Sequence, residues 1–313
     1  MKDATLYEDI AQGPKSGAAY WVQSSDGIRL RIALWAEKSA SNGTVFVFPG
    51  RAGYIERYGR ISAALEKFGF ASFVADWRGQ GLSDRLTENL KVGHVLTYND
   101  YQKDVAAIID AAKQLDLPKP WFLMGTSMGA CIGLRALTEG LDVAACAFNA
   151  PMWDIAMSRI QRLAVWPITW SAKTIGLSHL YAPGVTKEFE VLETSFENND
   201  LTHDADMYDF WAQQARIAPE LSIAGPSMGW VLESLKECKR LSKLGSPNLP
   251  CLTTYGDLDP VISKRAIEDR MKRWPGARTE RIADAKHDVL SEVPLIRTKA
   301  VTDICEFFLS AGH

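Results

Sequence analysis

The feature that most constrains the fold is an alternation of short apolar runs with longer amphipathic segments. The apolar runs end at turn signals and occupy residues 44–48, 71–75, 121–124 and 144–148. The amphipathic segments occupy residues 54–68, 98–115 and 128–137. Short buried strands that alternate with helices are typical of a parallel sheet covered by helices on both faces. The sequence therefore predicts an α/β fold.

A hairpin and a break in this alternation complete the predicted organisation. Residues 20–23 and 28–35 are joined by a Ser-Ser-Asp-Gly turn, which predicts an antiparallel hairpin at the sheet edge. From Pro151 to about residue 242 the chain is helical or irregular, and strand-like runs return at 249–255 and 278–282. We therefore predict one core, made of residues 1–150 and 247–313, and a helical insertion made of residues 151–246.

Charge and cysteine content argue against several classes of function. The 35 basic and 38 acidic residues give a net charge of -3, and no Lys/Arg cluster suggests a nucleic-acid partner. The five cysteines are widely spaced, which argues against a disulfide framework and a zinc site. We find no apolar signal core in residues 1–13 and no stretch that could span a bilayer. The expected location is the cytoplasm, at most peripheral to the inner membrane, and no metal or organic cofactor is expected.

The pentapeptide Gly-Thr-Ser-Met-Gly at residues 125–129 lies between a strand-like run and a helix-like segment. This G-x-S-x-G pattern is typical of a sharp turn that exposes a nucleophilic serine. The glycines leave room where a Cβ would clash with neighbouring backbone. The N-terminus of the following helix favours developing negative charge. We therefore predict that Ser127 is the nucleophile.

The same pattern occurs a second time, with Ser227 at its centre. The preceding residues 219–224 do not resemble a buried strand, and Pro226 fixes φ where a nucleophile turn needs freedom. The apolar periodic stretch that follows favours Ser227 as a helix N-cap. Ser127 is therefore the preferred candidate.

A serine hydroxyl becomes a strong nucleophile only when a base accepts its proton, so a histidine is expected beside Ser127. His287 lies between the last predicted strand and the C-terminal helix, where the chain order serine, acid, histidine requires the base. The other four histidines have different predicted positions. They are His94, which anchors a loop, His179 and His203, on the surface or near helix starts of the insertion, and His313, the frayed last residue.

Two candidate acids, Asp257 and Asp259, follow the strand-like run 249–255. Catalytic groups collect at the carboxyl ends of strands in open α/β sheets. Pro260 forces the residue before it into an extended conformation, which favours Asp259 as the partner of the imidazole. Asp288 is adjacent to His287 in the chain and is poorly placed to accept from its ring.

A glycine turn, Pro49-Gly50-Arg51, follows the strand-like run 44–48. It either ends the strand and does nothing more, or presents a backbone N–H toward the nucleophile. In the second case the N–H groups of Arg51 and Met128 form an oxyanion hole.

A loop and several shorter segments resemble those of a known enzyme family. Residues 76–83, Asp-Trp-Arg-Gly-Gln-Gly-Leu-Ser, match the D-x-R-G-x-G-x-S loop that is common in α/β-hydrolases. Segments 48–51, 57–58, 93–95, 100–101, 199–204 and 225–230 resemble the bacterial lysophospholipase L2 branch, which is related to monoacylglycerol lipases. The usual His-Gly before the oxyanion residue is Pro49-Gly50 here, a change that this branch shares. The resemblance extends from about Ile28 to Phe308.

The resemblance implies an α/β-hydrolase fold in which the helical insertion forms a cap over the active site. It implies a triad of Ser127, Asp259 and His287, with backbone donors at Arg51 and Met128. The implied function is a serine carboxylester hydrolase that forms an acyl-enzyme and acts on lysophospholipid or monoacylglycerol-type esters.

Further expectations concern the substrate and its surroundings. The apolar residues of the insertion either line an acyl-chain pocket or form a small core of their own; they include Trp153, Met157 and Trp166. The expected partner is a small acyl ester or lipid, with transient membrane-surface contact through the cap. The side chain of Arg51 is a candidate to pair with a lipid phosphate. Asp76 and Arg78 are expected to brace their loop rather than to act in catalysis.

Other functions are compatible with the same scaffold. A haloalkane dehalogenase needs an aspartate nucleophile, so Ser127 argues against that class. An aminopeptidase of the proline-iminopeptidase type shares both the triad and a helical cap, and an aminoacyl-amide substrate would distinguish it. A non-enzymatic binding protein is the third alternative, and an unreactive Ser127 would favour it.

Overall fold

The computed structural model describes residues 1–312, and its centre is a nine-stranded sheet. The strands are β1 (Lys2–Asp3), β2 (Ala18–Gln23), β3 (Arg29–Trp35), β4 (Thr44–Phe48), β5 (Ala71–Ala75), β6 (Trp121–Thr126), β7 (Ala145–Asn149), β8 (Cys251–Gly256) and β9 (Arg278–Ile282). Their order across the sheet is β1-β2-β3-β5-β4-β6-β7-β8-β9. The pairs β1–β2, β2–β3 and β3–β5 are antiparallel, and all other pairs are parallel. The predicted, mostly parallel α/β sheet is confirmed.

Helices lie between and after these strands. They are α1 (Glu8–Ala11), α2 (Gly59–Glu66), α3 (Asp100–Gln114), α4 (Met128–Thr138), α5 (Arg159–Thr174), α6 (Glu190–Glu193), α7 (Ala205–Ile217), α8 (Met228–Leu241), α9 (Lys264–Met271) and α10 (Pro294–Ala311). Within residues 1–312, no helix has both the length and the hydrophobicity needed to cross a bilayer.

The central strands bury both of their faces, which explains why they are continuously apolar in sequence. In β4, Phe46 and Phe48 belong to a core that includes side chains of α3, α4 and α8. Val45 and Val47 point the other way, into a second core with α2 and α10. The sheet is therefore covered on both faces, as the alternation of strands and helices predicts.

Most predicted elements agree with the structure to within two residues. The strands at 44–48, 71–75 and 278–282 have the predicted bounds, and the hairpin pairs β2 with β3. The predicted helix at 54–68 is wrong in its first turn, because Ile55–Tyr58 is a 3-10 helix that precedes α2. Two short elements, β1 and α1, have no counterpart in the predicted organisation because each is too short to show a periodicity.

The segment from residue 151 to residue 246 contains α5 to α8 and contributes no strand to the nine-stranded sheet. Part of it packs around its own buried aromatic residues, Phe189, Tyr208, Phe210 and Trp211. An isolated bridge joins Gly93, in the loop before α3, to Pro226. This segment therefore has contacts both within itself and with the loops above the sheet.

Asp76 and Arg78 brace the loop after β5 through buried ion pairs. Asp76 accepts hydrogen bonds from the Arg31 side chain (2.7 Å) and from the backbone N–H groups of Ile55 and Leu82 (2.8 Å each). Arg78 donates to Asp104, and both side chains are almost fully buried. Neither side chain lines the cavity described below.

Candidate active site

Ser127 occupies the turn between β6 and α4, at the carboxyl edge of the sheet. Its backbone has φ 50° and ψ −113°, a conformation that non-glycine residues rarely adopt. Its N–H donates to the carbonyl of Asn149 on the neighbouring strand β7 (2.9 Å). The strained turn thus lifts the hydroxyl away from the sheet while the backbone remains paired with it.

The two glycines of the pentapeptide are required by close backbone approach. A Cβ on Gly129 would lie 2.0 Å from the carbonyl oxygen of Phe48, at the end of β4. A Cβ on Gly125 would lie 2.9 Å from Cα of Ala130. Real Cβ atoms do not make such contacts, so only glycine permits α4 to begin this close to the sheet.

His287 lies in the loop between β9 and α10, with its imidazole between a hydroxyl and a carboxylate. Its Nε2 is 3.1 Å from Oγ of Ser127, and its Nδ1 is 2.7 Å from Oδ2 of Asp259. Burial by itself would lower the pKa of His287, but the hydrogen bond and charge of Asp259, with smaller contributions from Asp288 and Glu190, raise it overall. The imidazolium form is therefore stabilised at this position.

Asp259 is fixed by the loop that follows β8. Its Oδ1 accepts hydrogen bonds from the backbone N–H groups of Val261 (2.7 Å) and Ile262 (3.3 Å). Oδ2 remains free to accept from His287. The side chain is fully buried, and both of its oxygens accept hydrogen bonds.

The other two candidate acids have different partners. Asp257 has one carboxylate oxygen 3.9 Å from the Arg281 side chain, on the outer strand β9. Asp288 accepts from the side chains of Asn149 (2.9 Å) and Ser291 (3.0 Å) rather than from the imidazole. Of the three carboxylates, only Asp259 is hydrogen bonded to His287 among the described residues 1–312.

The backbone N–H groups of Arg51 and Met128, near Ser127, make no hydrogen bond within residues 1–312. On either side of Arg51 the amides are already used, since Gly50 donates to the Tyr58 hydroxyl (3.1 Å) and Ala52 donates to the Gln80 side chain. These two bonds hold the turn rigid and leave the N–H between them available.

These groups surround a cavity of about 120 Å³. Its walls come from the loop after β4, from the Ser127 turn, from the loops after β8 and β9, and from the 151–246 segment. The lining residues are Gly50, Arg51, Ala52, Gly53, Arg57, Tyr58, Thr126, Ser127, Phe189, Glu190, Val191, Leu201, Ile223, Ala224, Val261, His287 and Asp288. The cavity therefore combines a serine–histidine pair, two arginines and an apolar wall.

Comparison with known proteins agrees with this arrangement of fold and site. A family model described as "Serine aminopeptidase, S33" matches residues 39–294, which is most of the chain. The chain belongs to this family. It is similar to lysophospholipase L2 of Escherichia coli K12, with 30% identity over 277 residues that cover 84% of this chain and 79% of that protein. It is thus a lysophospholipase-like hydrolase.

Solved structures share the fold. A soluble variant of monoglyceride lipase from Saccharomyces cerevisiae, in complex with a substrate analog, has a TM-score of 0.73 and 16% identity, covering 93% of this chain and 95% of that one. A thermostable carboxyl esterase from Bacillus coagulans, in complex with glycerol, has a TM-score of 0.75 and 15% identity, covering 95% and 99%. At this identity the similarity establishes the α/β-hydrolase fold.

None of the three residues predicted as possible acyl-pocket residues lines the Ser127 cavity of this family member. Trp153 and Trp166 line a separate groove bounded by α5, α8 and α9, and Met157 packs against the larger core. Trp153 is buried because it stacks on Trp274, with ring centroids 6.4 Å apart. The alternative in which these residues pack into a core describes Trp153 and Met157. A role of the three in binding an acyl chain stays a prediction.

The second G-x-S-x-G sequence has a structural role, as predicted. Ser227 is the N-cap of α8 and accepts from the backbone N–H of Trp230 (3.0 Å). Its hydroxyl is also 2.7 Å from Nδ1 of His94, and both side chains are buried. Burial, followed by the charges of His179 and Lys173, lowers the pKa of His94, which favours a neutral ring. This pair fastens the 151–246 segment to the loop before α3.

Neither His179 nor His203 lines the Ser127 cavity. His179 is exposed, and the exposed His203 lies 3.0 Å from a carboxylate oxygen of Glu292. His313 lies outside the described residues.

Two cavity residues with charged side chains, Arg57 and Glu190, were not predicted from the sequence. Arg57 belongs to one of the segments that resemble the lysophospholipase L2 branch, and this was the only available signal.

Proposed function

We propose that the protein is a carboxylic ester hydrolase that uses Ser127, His287 and Asp259 as a catalytic triad and forms an acyl-enzyme. The observation that carries this proposal is the continuous chain of contacts from Ser127 Oγ to His287 (3.1 Å) and from His287 to Asp259 (2.7 Å). Both distances are within reach of a proton transfer between hydrogen-bonded groups. A buried carboxylate, an imidazole and a strained serine at one cavity are the groups that acyl transfer needs.

The proton positions follow from the partners of the imidazole. Asp259 accepts from Nδ1–H, which leaves a lone pair on Nε2 facing Ser127. As Ser127 Oγ attacks the ester carbonyl, its proton passes to Nε2, and the imidazolium is stabilised by Asp259. His287 then protonates the leaving alkoxide, and a water molecule repeats the sequence on the acyl-enzyme, which releases the carboxylic acid.

The oxyanion of each tetrahedral intermediate is proposed to accept hydrogen bonds from the backbone N–H groups of Arg51 and Met128. Support comes from the absence of any other acceptor for these two donors within residues 1–312. Met128 also begins α4, so the positive end of the helix dipole adds to the stabilisation. Donors that are fixed before the reaction need no reorganisation when charge develops.

We further propose that residues 151–246 form a cap over this site. Six residues of the segment contribute to the cavity wall: Phe189, Glu190, Val191, Leu201, Ile223 and Ala224. The nature of the relatives, a lysophospholipase and lipases, supports a monoacyl lipid as substrate, either a lysophospholipid or a monoacylglycerol. Transient contact of the cap with a membrane surface would deliver such a lipid to the cavity.

The first experiment compares an ester with an aminoacyl amide. We expect hydrolysis of p-nitrophenyl butyrate, of a lysophospholipid and of a monoacylglycerol, and at least about a hundredfold lower kcat/KM for proline p-nitroanilide. The reason is that an aminopeptidase must bind an α-ammonium group, and the carboxylate of Glu190, which could attract it, shares the cavity with two repelling charges, Arg51 and Arg57. Efficient cleavage of the amide together with inert esters would assign the aminopeptidase alternative.

Activity is expected to fall on the acid side of the pH profile, because His287 must be neutral to accept the serine proton. Its pKa is raised above the ordinary value of 6.5, so kcat/KM should be maximal above this raised pKa and decline as the pH falls through it. The profile is measured with a neutral ester between about pH 5 and pH 9. A flat profile across this range would contradict a histidine base, and a midpoint below 6.5 would contradict the stabilising role of Asp259.

A further inference from the structure

Two arginines in the Ser127 cavity have few protein partners. Arg51 donates one hydrogen bond, from Nη1 to the carbonyl of Ala224 (2.8 Å), and Arg57 makes no side-chain hydrogen bond within residues 1–312. Neither forms a salt bridge within these residues. A guanidinium carries five N–H donors, so most of the donors at this cavity are unused.

Both arginines are held in place by tryptophans of the 151–246 segment. The guanidinium carbon of Arg57 lies 3.9 Å from the ring centroid of the fully buried Trp211, and that of Arg51 lies 5.9 Å from Trp230. An arginine stacked on an aromatic face keeps its in-plane N–H donors available. The charges are therefore positioned before any ligand binds.

The acidic groups of the cavity do not neutralise this pair by contact. Asp288 is occupied by Asn149 and Ser291. Glu190 lines the cavity but forms no salt bridge with either arginine. Burial lowers the pKa of Arg51, and the charge of Glu190 acts in the opposite direction. A guanidinium remains protonated in proteins at neutral pH, so two positively charged groups line the cavity without a salt bridge to either of its carboxylates.

We propose that Arg51 and Arg57 form a subsite for the phosphate of a lysophospholipid, next to the ester that Ser127 attacks. This inference rests on the proposed function and specifies its substrate. Guanidinium forks match phosphate oxygens and bind them with charge-assisted hydrogen bonds. The backbone of Arg51 belongs to the proposed oxyanion hole, so its side chain begins beside the reacting carbonyl. In a lysophospholipid a glycerol backbone separates the ester from the phosphate, which places the two groups near each other.

The test compares two substrates that differ in the phosphate. Lysophosphatidylglycerol and a monoacylglycerol with the same short acyl chain are assayed below their micelle concentrations with wild type, Arg51→Gln and Arg57→Gln. We expect wild type to prefer the phospholipid and each variant to lower the ratio of the two kcat/KM values by about 10- to 100-fold, the range of a lost charged hydrogen bond. The matched control is Arg60→Gln, because Arg60 also stacks on an aromatic ring, that of Phe210 (4.1 Å), but does not line the cavity. An unchanged ratio in both cavity variants would overturn the proposal.

A binding measurement separates this subsite from the catalytic proposal. Glycerol 3-phosphate is titrated into Ser127→Ala protein by calorimetry, alone and with Arg51→Gln or Arg57→Gln added. Binding that weakens at least about tenfold with either arginine variant, and not with Arg60→Gln, supports the subsite whether or not any ester is cleaved. Equal binding by all variants overturns it. Binding of inorganic phosphate as tight as that of glycerol 3-phosphate would indicate a site for the free anion and overturn the headgroup assignment.

A substitution at Glu190 gives an effect of opposite sign. Glu190 lines the same cavity, so its carboxylate repels an incoming phosphate. Glu190→Gln is therefore expected to raise the phospholipid-to-monoacylglycerol ratio by about two- to tenfold at low salt, and high salt should reduce this gain. If Glu190→Gln instead lowers the phospholipid-to-monoacylglycerol ratio, Glu190 itself binds the substrate. That result would contradict the placement of the substrate phosphate beside Glu190.

Discussion

Replacing Ser127 with alanine is expected to lower kcat for p-nitrophenyl butyrate by at least about 10⁴-fold. Without the hydroxyl no acyl-enzyme forms, and the remaining oxyanion donors support only weak attack by water. Alanine fits the site, because the φ of 50° is imposed by the surrounding turn and the new side chain is smaller. The variant should therefore unfold at nearly the wild-type temperature, which circular dichroism checks alongside the kinetics.

Ser227→Ala is the matched control, because it alters the second G-x-S-x-G sequence. Loss of the N-cap of α8 is expected to lower the free energy of unfolding by about 1 kcal/mol, while kcat remains within about tenfold of wild type. Trapping the acyl-enzyme and locating it by mass spectrometry gives an independent readout. Acylation of a peptide that contains Ser227, or full activity in Ser127→Ala, would contradict the proposed nucleophile.

Local sequence patterns were sufficient where the conformation of a residue depends on its immediate neighbours. The strand–turn–helix context of Ser127 distinguished it from Ser227, and the structure gives the steric reason, since Gly129 lies against the end of β4. Pro226 and the apolar stretch after it identified an N-cap. In each case the relevant contacts involve a few adjacent residues and one neighbouring element. The order of residues in the chain is therefore enough to predict these contacts.

Local patterns were not sufficient where partners are distant in the chain. Hydrophobicity alone cannot tell whether Trp153 faces a ligand cavity or Trp274, because both environments are apolar. Arg57 and Glu190 lie more than a hundred residues apart and meet only because the 151–246 segment returns to the loop after β4. The residues that flank Arg57 and Glu190 in the chain do not indicate that the two side chains line the same cavity.

The size of the cavity bears on how a lipid reaches Ser127. Ligand pockets for drug-sized molecules are typically about 300–1,000 Å³, whereas this cavity encloses about 120 Å³. A whole monoacyl lipid does not fit such a volume, so either the acyl chain extends outside it or the 151–246 segment moves. The buried contact of His94 with Ser227 is one of several that join that segment to the core, together with those of Arg135 with Glu237 and of Thr202 with Ser291.

Replacing Asp259 with asparagine is expected to lower kcat by about 10⁴-fold with little change in stability. The backbone amides of Val261 and Ile262 would retain the asparagine carbonyl at the Oδ1 position, so the new NH₂ group would occupy the Oδ2 position and face the imidazole. An NH₂ group donates, and Nδ1 must then be the unprotonated nitrogen. The proton moves to Nε2, which can no longer accept from Ser127.

Asp257→Asn is the control that decides between the two candidate acids. Asp257 makes no hydrogen bond to His287, and its partner Arg281 lies on the outer strand, so we expect kcat within about tenfold of wild type. Removing the charge of Asp259 should also move the acid limb of the pH profile to lower pH, because that carboxylate is what raises the pKa of His287. If the acid limb of the pH profile shifts to lower pH in Asp259→Asn but not in Asp257→Asn, the effect comes from the loss of the carboxylate beside His287. A general loss of structure would not produce this difference. The reverse pattern in the two variants would make Asp257 the acid.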